Sequence, residues 1–320
     1  MKIAITLGDP AGIGPEIALK SFLSEELAGL CELMIVGDRA VVEEAAGKLR
    51  IPVYPGDDEL VDVHEIKDGN FEKGRPTAAG GRAAAAYIKK AVGLAMDRSV
   101  GAVVTAPISK EALKMAGFPW PGHTEMLAEL TGTDNYAMML AGGTLRVILV
   151  TIHTALKNVP ALITRERVLK TILLAKKACG MMGLASPRIA VAGLNPHAGE
   201  SGMFGGEEAR EIAPAVKEAL ALGVPVSGPY PADALFHKAY CGEFDIIVCM
   251  YHDQGLIPLK MISFDKGVNA TIGLPIIRTS PDHGTAYDIA WKGVADPSSM
   301  IEAIKLAVRL TARSGGADAV

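Results

Sequence analysis

Three short polar motifs of this sequence each carry one histidine: His153, His197 and His252. Each motif follows an apolar run typical of a buried strand, and these runs are 146–150, 188–194 and 245–250. Ligands and catalytic groups of open α/β sheets gather where strands end. Three imidazoles at one such edge would form a metal site with a position left open for water or substrate. The alternative is three unrelated histidines that cap helices or make single hydrogen bonds.

The composition of the 320 residues is typical of a buried, helix-covered sheet. Hydrophobic residues make up 49% and aromatic residues only 5%, so the core is aliphatic. The net charge is −4, and the two signs are interspersed, which argues against a nucleic-acid partner. Four cysteines form no C-x-x-C pair and indicate core residues in a reducing compartment.

The ends and apolar runs of the sequence favour a soluble cytoplasmic protein. The chain starts directly with a predicted strand over 2–7, without a charged and then apolar leader. No apolar run approaches the ~18 residues that a membrane span needs. We therefore expect no membrane association.

Strand-like and helix-like segments alternate along the whole chain, which predicts an α/β fold with a mostly parallel sheet. The first helices are expected at 15–23, 39–49 and 77–98, and the first strands at 2–7, 32–37 and 102–105. In the middle, apolar runs at 136–141 and 145–151 flank Gly142 and Gly143 and predict a hairpin. Helices over 165–182 and 207–222 follow.

The same pattern predicts two domains. A second α/β domain is expected at 124–267, inserted into a first domain made of 1–123 and 268–320. Both termini then belong to the first domain.

Several familiar catalytic and nucleotide-binding motifs are absent. No G-x-G-x-x-G follows the first strand, and there is no G-x-S-x-G elbow and no H-E-x-x-H helix. The segment 69–76 resembles a P-loop until its end, where Arg75 and Pro76 replace the required Lys-[Ser/Thr]. This difference excludes a P-loop kinase or ATPase.

A second group of polar residues fits an anionic ligand. The segment 121–125 ends a loop and opens a helix, where free backbone amides favour an anion, although simple capping by Thr124 is an alternative. Lys260, Asn269 and Arg278 punctuate an apolar stretch, and together with His123 they suit a phosphate or carboxylate. Asp233 precedes an apolar helix start and is either an N-cap or a group for metal binding or proton transfer.

The segment 279–293 is the most specific motif. It is similar to the H-G-[ST]-A-x-D-I-A-x-K-G stretch of isocitrate and isopropylmalate dehydrogenases, and 8–16 resembles their G-D-G-I-G-P-E start. This resemblance implies a three-layer α/β/α fold of two domains with the active site in the cleft between them. It also implies that Gly284 and Asp288 contact NAD or NADP.

The motifs taken together resemble the 4-hydroxythreonine-4-phosphate dehydrogenase family over nearly the full length. This resemblance implies a homodimer with a shared active site and a divalent metal. By ligand type three histidines suit zinc or cobalt, and magnesium or manganese is the alternative if carboxylates or substrate oxygens complete the shell. Two histidine ligands come from one subunit and one from its partner, and the matching positions are His153, His197 and His252. The substrate contacts it implies are His123, Thr124, Lys260, Asn269 and Arg278.

The family reaction oxidises a phosphorylated β-hydroxy amino acid with NAD or NADP and then releases carbon dioxide. The product, 3-amino-2-oxopropyl phosphate, leads to pyridoxal phosphate. Relatives that oxidise D-threonate or D-erythronate 4-phosphate are the alternative, and a metal-dependent hydrolase or aldolase is a more remote one. Asp233 and Lys260 are the expected proton acceptors, beside Asp253 and a metal-bound water.

Overall fold

Strands and helices alternate in the structure as the sequence predicts. A computed structural model describes residues 1–51, 55–66 and 71–314, so part of the 69–76 segment lies outside the described residues. The strands in the described part are β1 Lys2–Thr6, β2 Glu32–Gly37, β3 Leu60–Asp62, β4 Ala102–Thr105, β5 Ala137–Gly142, β6 Leu145–Leu149, β7 Ile189–Ala192, β8 Val226–Tyr230, β9 Ile246–Cys249, β10 Val268–Ile272 and β11 Arg278–Pro281.

The α-helices of the described residues are numbered in chain order in the same way. They are α1 Gly14–Phe22, α2 Arg39–Leu49, α3 Ala78–Met96, α4 Lys110–Met115, α5 His123–Thr131, α6 Val159–Leu162, α7 Arg165–Met181, α8 Ala213–Ala221, α9 Ala232–Tyr240, α10 His252–Ile262 and α11 Ser298–Ser314. Several begin at hydroxyl caps. Thr77, for example, accepts a hydrogen bond of 3.0 Å from the Gly80 amide at the start of α3.

The chain forms two compact units. The first contains Met1–Asp134 and Leu274–Ala312. Its strands lie in the order β3-β2-β1-β4-β11, and each pair is parallel. Helix α3 packs on β1, β2 and β4, and its alanines allow close approach. This unit has the helix-covered parallel sheet expected from the alternation.

The second unit contains Asn135–Gly273 together with Arg313 at the end of α11. Its strands lie in the order β10-β5-β6-β9-β7-β8. The pairs from β10 to β6 are antiparallel, and those from β6 to β8 are parallel. The predicted hairpin is confirmed, since β5 and β6 pair with Gly142 opposite Leu145.

Both faces of the second sheet are buried. Val147 of β6 and Ile247 of β9 pack with Leu256 and Leu259 of α10. The intervening residues Ile148 and Val248 are also fully buried, and side chains alternate along a strand, so they lie on the opposite face. Helix α7 contacts β6, β7 and β9. Helices on both faces make the α/β/α layering of this unit.

One predicted helix differs from the structure. The expected helix over 207–222 divides into a π-helical turn, Glu208–Ile212, and α8. Pro214 stands in the first turn of α8 and has no backbone N–H to continue a regular ladder. The wider π turn takes up this break. No helix among the described residues has both the length and the apolar character to cross a membrane.

Candidate active site

The parallel pair β6 and β9 brings two of the predicted metal ligands together. The ladder continues past both strands, because the Val150 amide donates to the Cys249 carbonyl at 2.8 Å and the Thr151 amide to the Met250 carbonyl at 3.2 Å. His153 and His252 follow directly. Their ring centroids are 5.9 Å apart, with an angle of 40° between the ring planes. The strand ends therefore deliver two imidazoles to one place.

A carboxylate fixes the ring of His252. Asp253 Oδ1 lies 2.7 Å from His252 Nδ1. When Nδ1 carries the proton of this bond, Nε2 keeps the lone pair that binds a metal. Asp253 was expected only as a possible proton acceptor, and its contact with the neighbouring ring gives it a second role that the residue order alone did not reveal.

The start of α10 is held by Gln254 and Gly255. Buried Gln254 accepts from the Met250 amide at 2.6 Å and donates to the Gly193 carbonyl at 2.7 Å, which ties the ends of β9 and β7 together. A Cβ at Gly255 would lie 3.1 Å from Cys249 Sγ, so glycine lets the helix pack closely on the strand. The position of His252 thus depends on the sheet beneath it.

His197 follows β7 but does not complete a triad within one chain. Its ring centroid lies 6.1 Å from that of Phe204, and its side chain is exposed. Within the part of the chain that the structure describes, no group of three or more metal-binding side chains comes together. A single chain therefore offers the histidine pair 153 and 252, with an open cavity of about 430 Å³ lined by this pair and the 152–159 loop.

The predicted anion residue His123 is the first residue of α5. Its N-cap is Gly122, so the alternative that Thr124 caps this helix is wrong; Thr124 is a buried residue of the first turn. Gly122 has no side chain to compete for the free amides. The His123 ring bonds to the backbone of Ala106, and its Nε2 is shielded from solvent without a hydrogen-bond partner among the described residues.

Arg278 lies in the same unit, at the first position of β11. It is only 2% exposed, and Thr105 Oγ1 accepts from its Nε at 3.1 Å and from its Nη2 at 2.7 Å. Burial lowers the pKa of Arg278 to about 9. Burying a guanidinium costs free energy that a counter-charged ligand would offset. Arg278 and the orphaned Nε2 of His123 together fit an anionic group that also offers a hydrogen-bond donor.

The surroundings of His123 predict a specific pH dependence of stability. Burial, followed by the positive charge of Arg278, lowers the pKa of His123 well below its ordinary value. Below about pH 6.5 the unfolded chain binds a proton at this ring and the folded chain does not. Above that pH this ring does not lower the free energy of unfolding. As the pH falls below it, the free energy of unfolding decreases by about 1.4 kcal/mol per pH unit until the pH reaches the pKa of His123 in the folded chain.

Urea unfolding of the wild type and of His123→Gln between about pH 7.5 and 5 measures this effect. The other histidines are common to both proteins, so their effects cancel in the difference. We expect the wild type to lose stability more steeply than the variant as the pH falls. Parallel curves would show that His123 titrates alike in the folded and unfolded chains.

The other predicted substrate and proton-transfer residues lie in the second unit. Asn269 stands in β10, and its Oδ1 is shielded from solvent and accepts no hydrogen bond from the described residues. Lys260 is in the last turn of α10, half-buried, with its ammonium 5.9 Å from the Phe264 ring centroid. Asp233 is exposed in the first turn of α9, whose N-cap is Pro231, so the alternative of an Asp233 N-cap is wrong.

The segment expected to bind the nicotinamide cofactor rests on the first loop of the chain. Tyr287 donates to Asp9 Oδ2 at 2.7 Å, and Trp291 Nε1 donates to the Pro10 carbonyl at 2.9 Å. Burial raises the pKa of both Asp9 and Tyr287. Gly284 and Asp288 are exposed on this segment. The two motifs that resemble the dehydrogenase superfamily are thus in direct contact.

The chain is similar to known dehydrogenases. The chain is 49% identical over 319 residues to a 4-hydroxythreonine-4-phosphate dehydrogenase of Desulforapulum autotrophicum, covering 95% of this chain and 94% of the relative. It is 45% identical to a D-threonate 4-phosphate dehydrogenase of Cupriavidus necator, covering 97% of each. A crystal structure of 4-hydroxythreonine-4-phosphate dehydrogenase from Klebsiella pneumoniae has a TM-score of 0.88 and 42% identity, covering 97% of this chain and 98% of that one.

The fold and these relatives define the chain as an α/β oxidoreductase of the dehydrogenase class. The family model described as pyridoxal phosphate biosynthetic protein PdxA matches residues 29–307. The chain belongs to this family. The resemblance stated from the sequence motifs is confirmed.

Proposed function

We propose that this protein oxidises 4-hydroxy-L-threonine 4-phosphate with NAD or NADP and a divalent metal. The 3-oxo acid then loses carbon dioxide to give 3-amino-2-oxopropyl phosphate for pyridoxal phosphate synthesis. The observation that carries the proposal is the His153–His252 pair, braced by Asp253, in a chain 49% identical to an enzyme of that name. Its four cysteines are free, in keeping with a cytoplasmic enzyme.

The donor set fits a divalent metal such as zinc, cobalt or magnesium. His153 and His252 would hold it together with the partner subunit's His197, because one chain offers only two of the three imidazoles at one place. When bound, such a metal lowers the pKa of a coordinated hydroxyl and polarises the carbonyl that oxidation produces. Asp253 would keep the His252 ring in the tautomer that binds it.

The surface beside His252 supports a homodimer. Met261 is 81% exposed and Phe264 is 76% exposed, and both line a cavity of about 400 Å³ with Ile257, Lys260 and His252. Exposed apolar surface of this kind next to a site marks a place for association. A second copy that covers it would lie next to the histidine pair, where the third ligand is needed.

The remaining residues would bind and orient the substrate. Arg278, His123 and Thr124 are the proposed contacts of an anionic group, and Lys260 and Asn269 are further proposed substrate contacts. Binding at several points fixes the reacting carbon, and such positioning lowers a barrier by about 7 kcal/mol in the best cases. Lys260 and Asp233 are the proposed acceptors of the hydroxyl proton. Gly284 and Asp288 would contact the nicotinamide cofactor, which takes up the two electrons.

The proposal is tested by measuring the reduction of NAD or NADP, which the absorbance of the reduced cofactor in the near ultraviolet reports. We expect turnover with 4-hydroxy-L-threonine 4-phosphate that stops after treatment with a chelator and returns with zinc, cobalt or magnesium. Release of carbon dioxide in equal amount would show the decarboxylation. No cofactor reduction with any four-carbon phosphate would overturn the proposal and favour a metal-dependent hydrolase or aldolase.

The relative in Cupriavidus necator favours a second candidate, oxidation of D-threonate 4-phosphate or D-erythronate 4-phosphate. These acids carry the same phosphate and carboxylate and differ from the first substrate by a hydroxyl in place of an amine. The same assay with all three substrates decides between them. A higher kcat/KM for either hydroxy acid would assign the enzyme to sugar-acid catabolism.

A further inference from the structure

The segment that carries His197 has an unusual backbone. Five consecutive residues, 197–201, have φ values of 52°, 52°, 83°, 41° and 56°, which is one turn of left-handed helix. Only residue 199 is glycine. L-residues adopt this conformation at a cost, so a run of them persists only where contacts around it hold the chain. The contacts around this turn therefore have to offset the conformational cost of the left-handed backbone.

The buried side chain of Glu208 supplies these contacts. Glu208 is 6% exposed and lies at the start of the π-helical turn. Its Oε1 accepts from the backbone amides of Leu194 at 2.8 Å and Asn195 at 2.7 Å, and its Oε2 accepts from Asn195 Nδ2 at 3.0 Å. One carboxylate thus fixes the two residues through which the chain enters the turn.

The same carboxylate also touches the middle of the turn. A Cβ at Gly199 would lie 2.8 Å from Glu208 Oε2, and a Cβ at Gly193 would lie 3.3 Å from Oε1. Both glycines leave room for the carboxylate, which sits against the inner side of the turn. On its outer side, His197 is exposed next to Phe204, and Met203 is 75% exposed. The turn presents an imidazole among apolar side chains.

We infer that Glu208 is a positioning residue for the metal: it fixes the left-handed turn so that His197 is presented to the histidine pair of a second subunit. This inference rests on the proposed function, in which His197 is a ligand. A carboxylate is needed because its two oxygens accept three hydrogen bonds at once. An amide in its place turns one of those acceptors into a donor, which faces another donor.

Cobalt titration of metal-free protein tests the inference, with visible absorption as the readout. Glu208→Gln is expected to lower Co²⁺ affinity about tenfold and Glu208→Ala about 100-fold, the range for groups that orient metal ligands. Glu211→Gln is the matched control, because Glu211 lies on the same π-helical turn and accepts from the Arg165 amide instead. It should bind Co²⁺ like the wild type. Light scattering checks that all variants have the same oligomeric mass.

A double variant distinguishes positioning of His197 from a general loss of structure. If Glu208 acts through His197, then His197→Ala combined with Glu208→Gln binds Co²⁺ no more weakly than His197→Ala alone. Hydrogen exchange at 195–202 should quicken in Glu208→Gln, with the rest of the chain unchanged. Should the Glu208 variants not fold, Asn195→Ala removes the donor to Oε2 and is expected to give a smaller loss of the same kind.

The outcomes distinguish a failure of the role inferred for Glu208 from a failure of the metal role proposed for His197. Unchanged Co²⁺ affinity in His197→Ala would overturn the proposed metal role of His197. Weak binding in His197→Ala with wild-type binding in Glu208→Gln would leave that role standing and overturn the role of Glu208. Additive losses in the double variant would also overturn it.

Discussion

Replacing Arg278 with methionine is expected to lower kcat/KM about 10³-fold and to leave the free energy of unfolding nearly unchanged. In the proposed complex the guanidinium makes charge-assisted hydrogen bonds to a substrate anion, each contributing about 1.5–3 kcal/mol. In the free protein the same group is 2% exposed and its burial is costly. Methionine removes that cost but also the hydrogen bonds to Thr105, so the two effects on stability oppose each other.

Steady-state kinetics and urea unfolding of the same preparations measure the two effects. Arg188→Met is the control, because it removes an exposed arginine that pairs with Asp245 at 2.9 Å on the surface. It is expected to keep its kcat/KM and to lose at most about 1 kcal/mol of stability. If Arg278→Met were strongly destabilised, the guanidinium would serve the fold rather than the substrate.

Replacing His153 with alanine is expected to weaken Co²⁺ binding about 10²- to 10³-fold. Three imidazoles and one water make four ligands, and a total binding free energy of about 10–16 kcal/mol falls by about a quarter when one ligand is lost. His153 is exposed, so the variant should fold and melt like the wild type. Asp253→Asn, which disturbs only the ring orientation of His252, should weaken binding about 10- to 100-fold.

Isothermal titration of metal-free proteins with Co²⁺ makes this measurement. His237→Ala is the matched control, since His237 is a histidine of the same unit that lies on α9, beside Cys241. Oxidation of the substrate should fall in parallel with metal occupancy. Equal Co²⁺ affinities for His153→Ala and His237→Ala would remove His153 from the proposed ligand set.

The sequence predicts the regular parts of this fold well because hydrophobic periodicity decides them. The expected strand over 32–37 and helix over 39–49 coincide with β2 and α2, and the glycine pair at 142 and 143 marks the observed hairpin. Helix starts are less predictable. Gly122 and Pro231 precede α5 and α9, while the polar residues Thr124 and Asp233 stand inside them.

The sequence points to the candidate metal-binding histidines but not to the residues that hold them in place. Histidines at strand ends and the two dehydrogenase-like motifs are visible in the sequence, but the contact between those motifs is seen only in the structure. The left-handed turn is not, because Ala198, Glu200 and Ser201 have no preference for that conformation. Glu208 is one acidic residue among several in its segment. Only the three-dimensional structure reveals that it is buried against backbone amides.

The parallel register of β6 and β9 has a consequence for how this kind of enzyme changes its chemistry. Leu149 pairs with Cys249, and the ladder extends to the residues just before the histidine pair. The spacing between the two imidazoles is therefore inherited from the separation of neighbouring strands, about 4.8 Å, which loop sequences do not alter. Loops can diverge to select a new substrate while the distance between these two imidazoles stays constant.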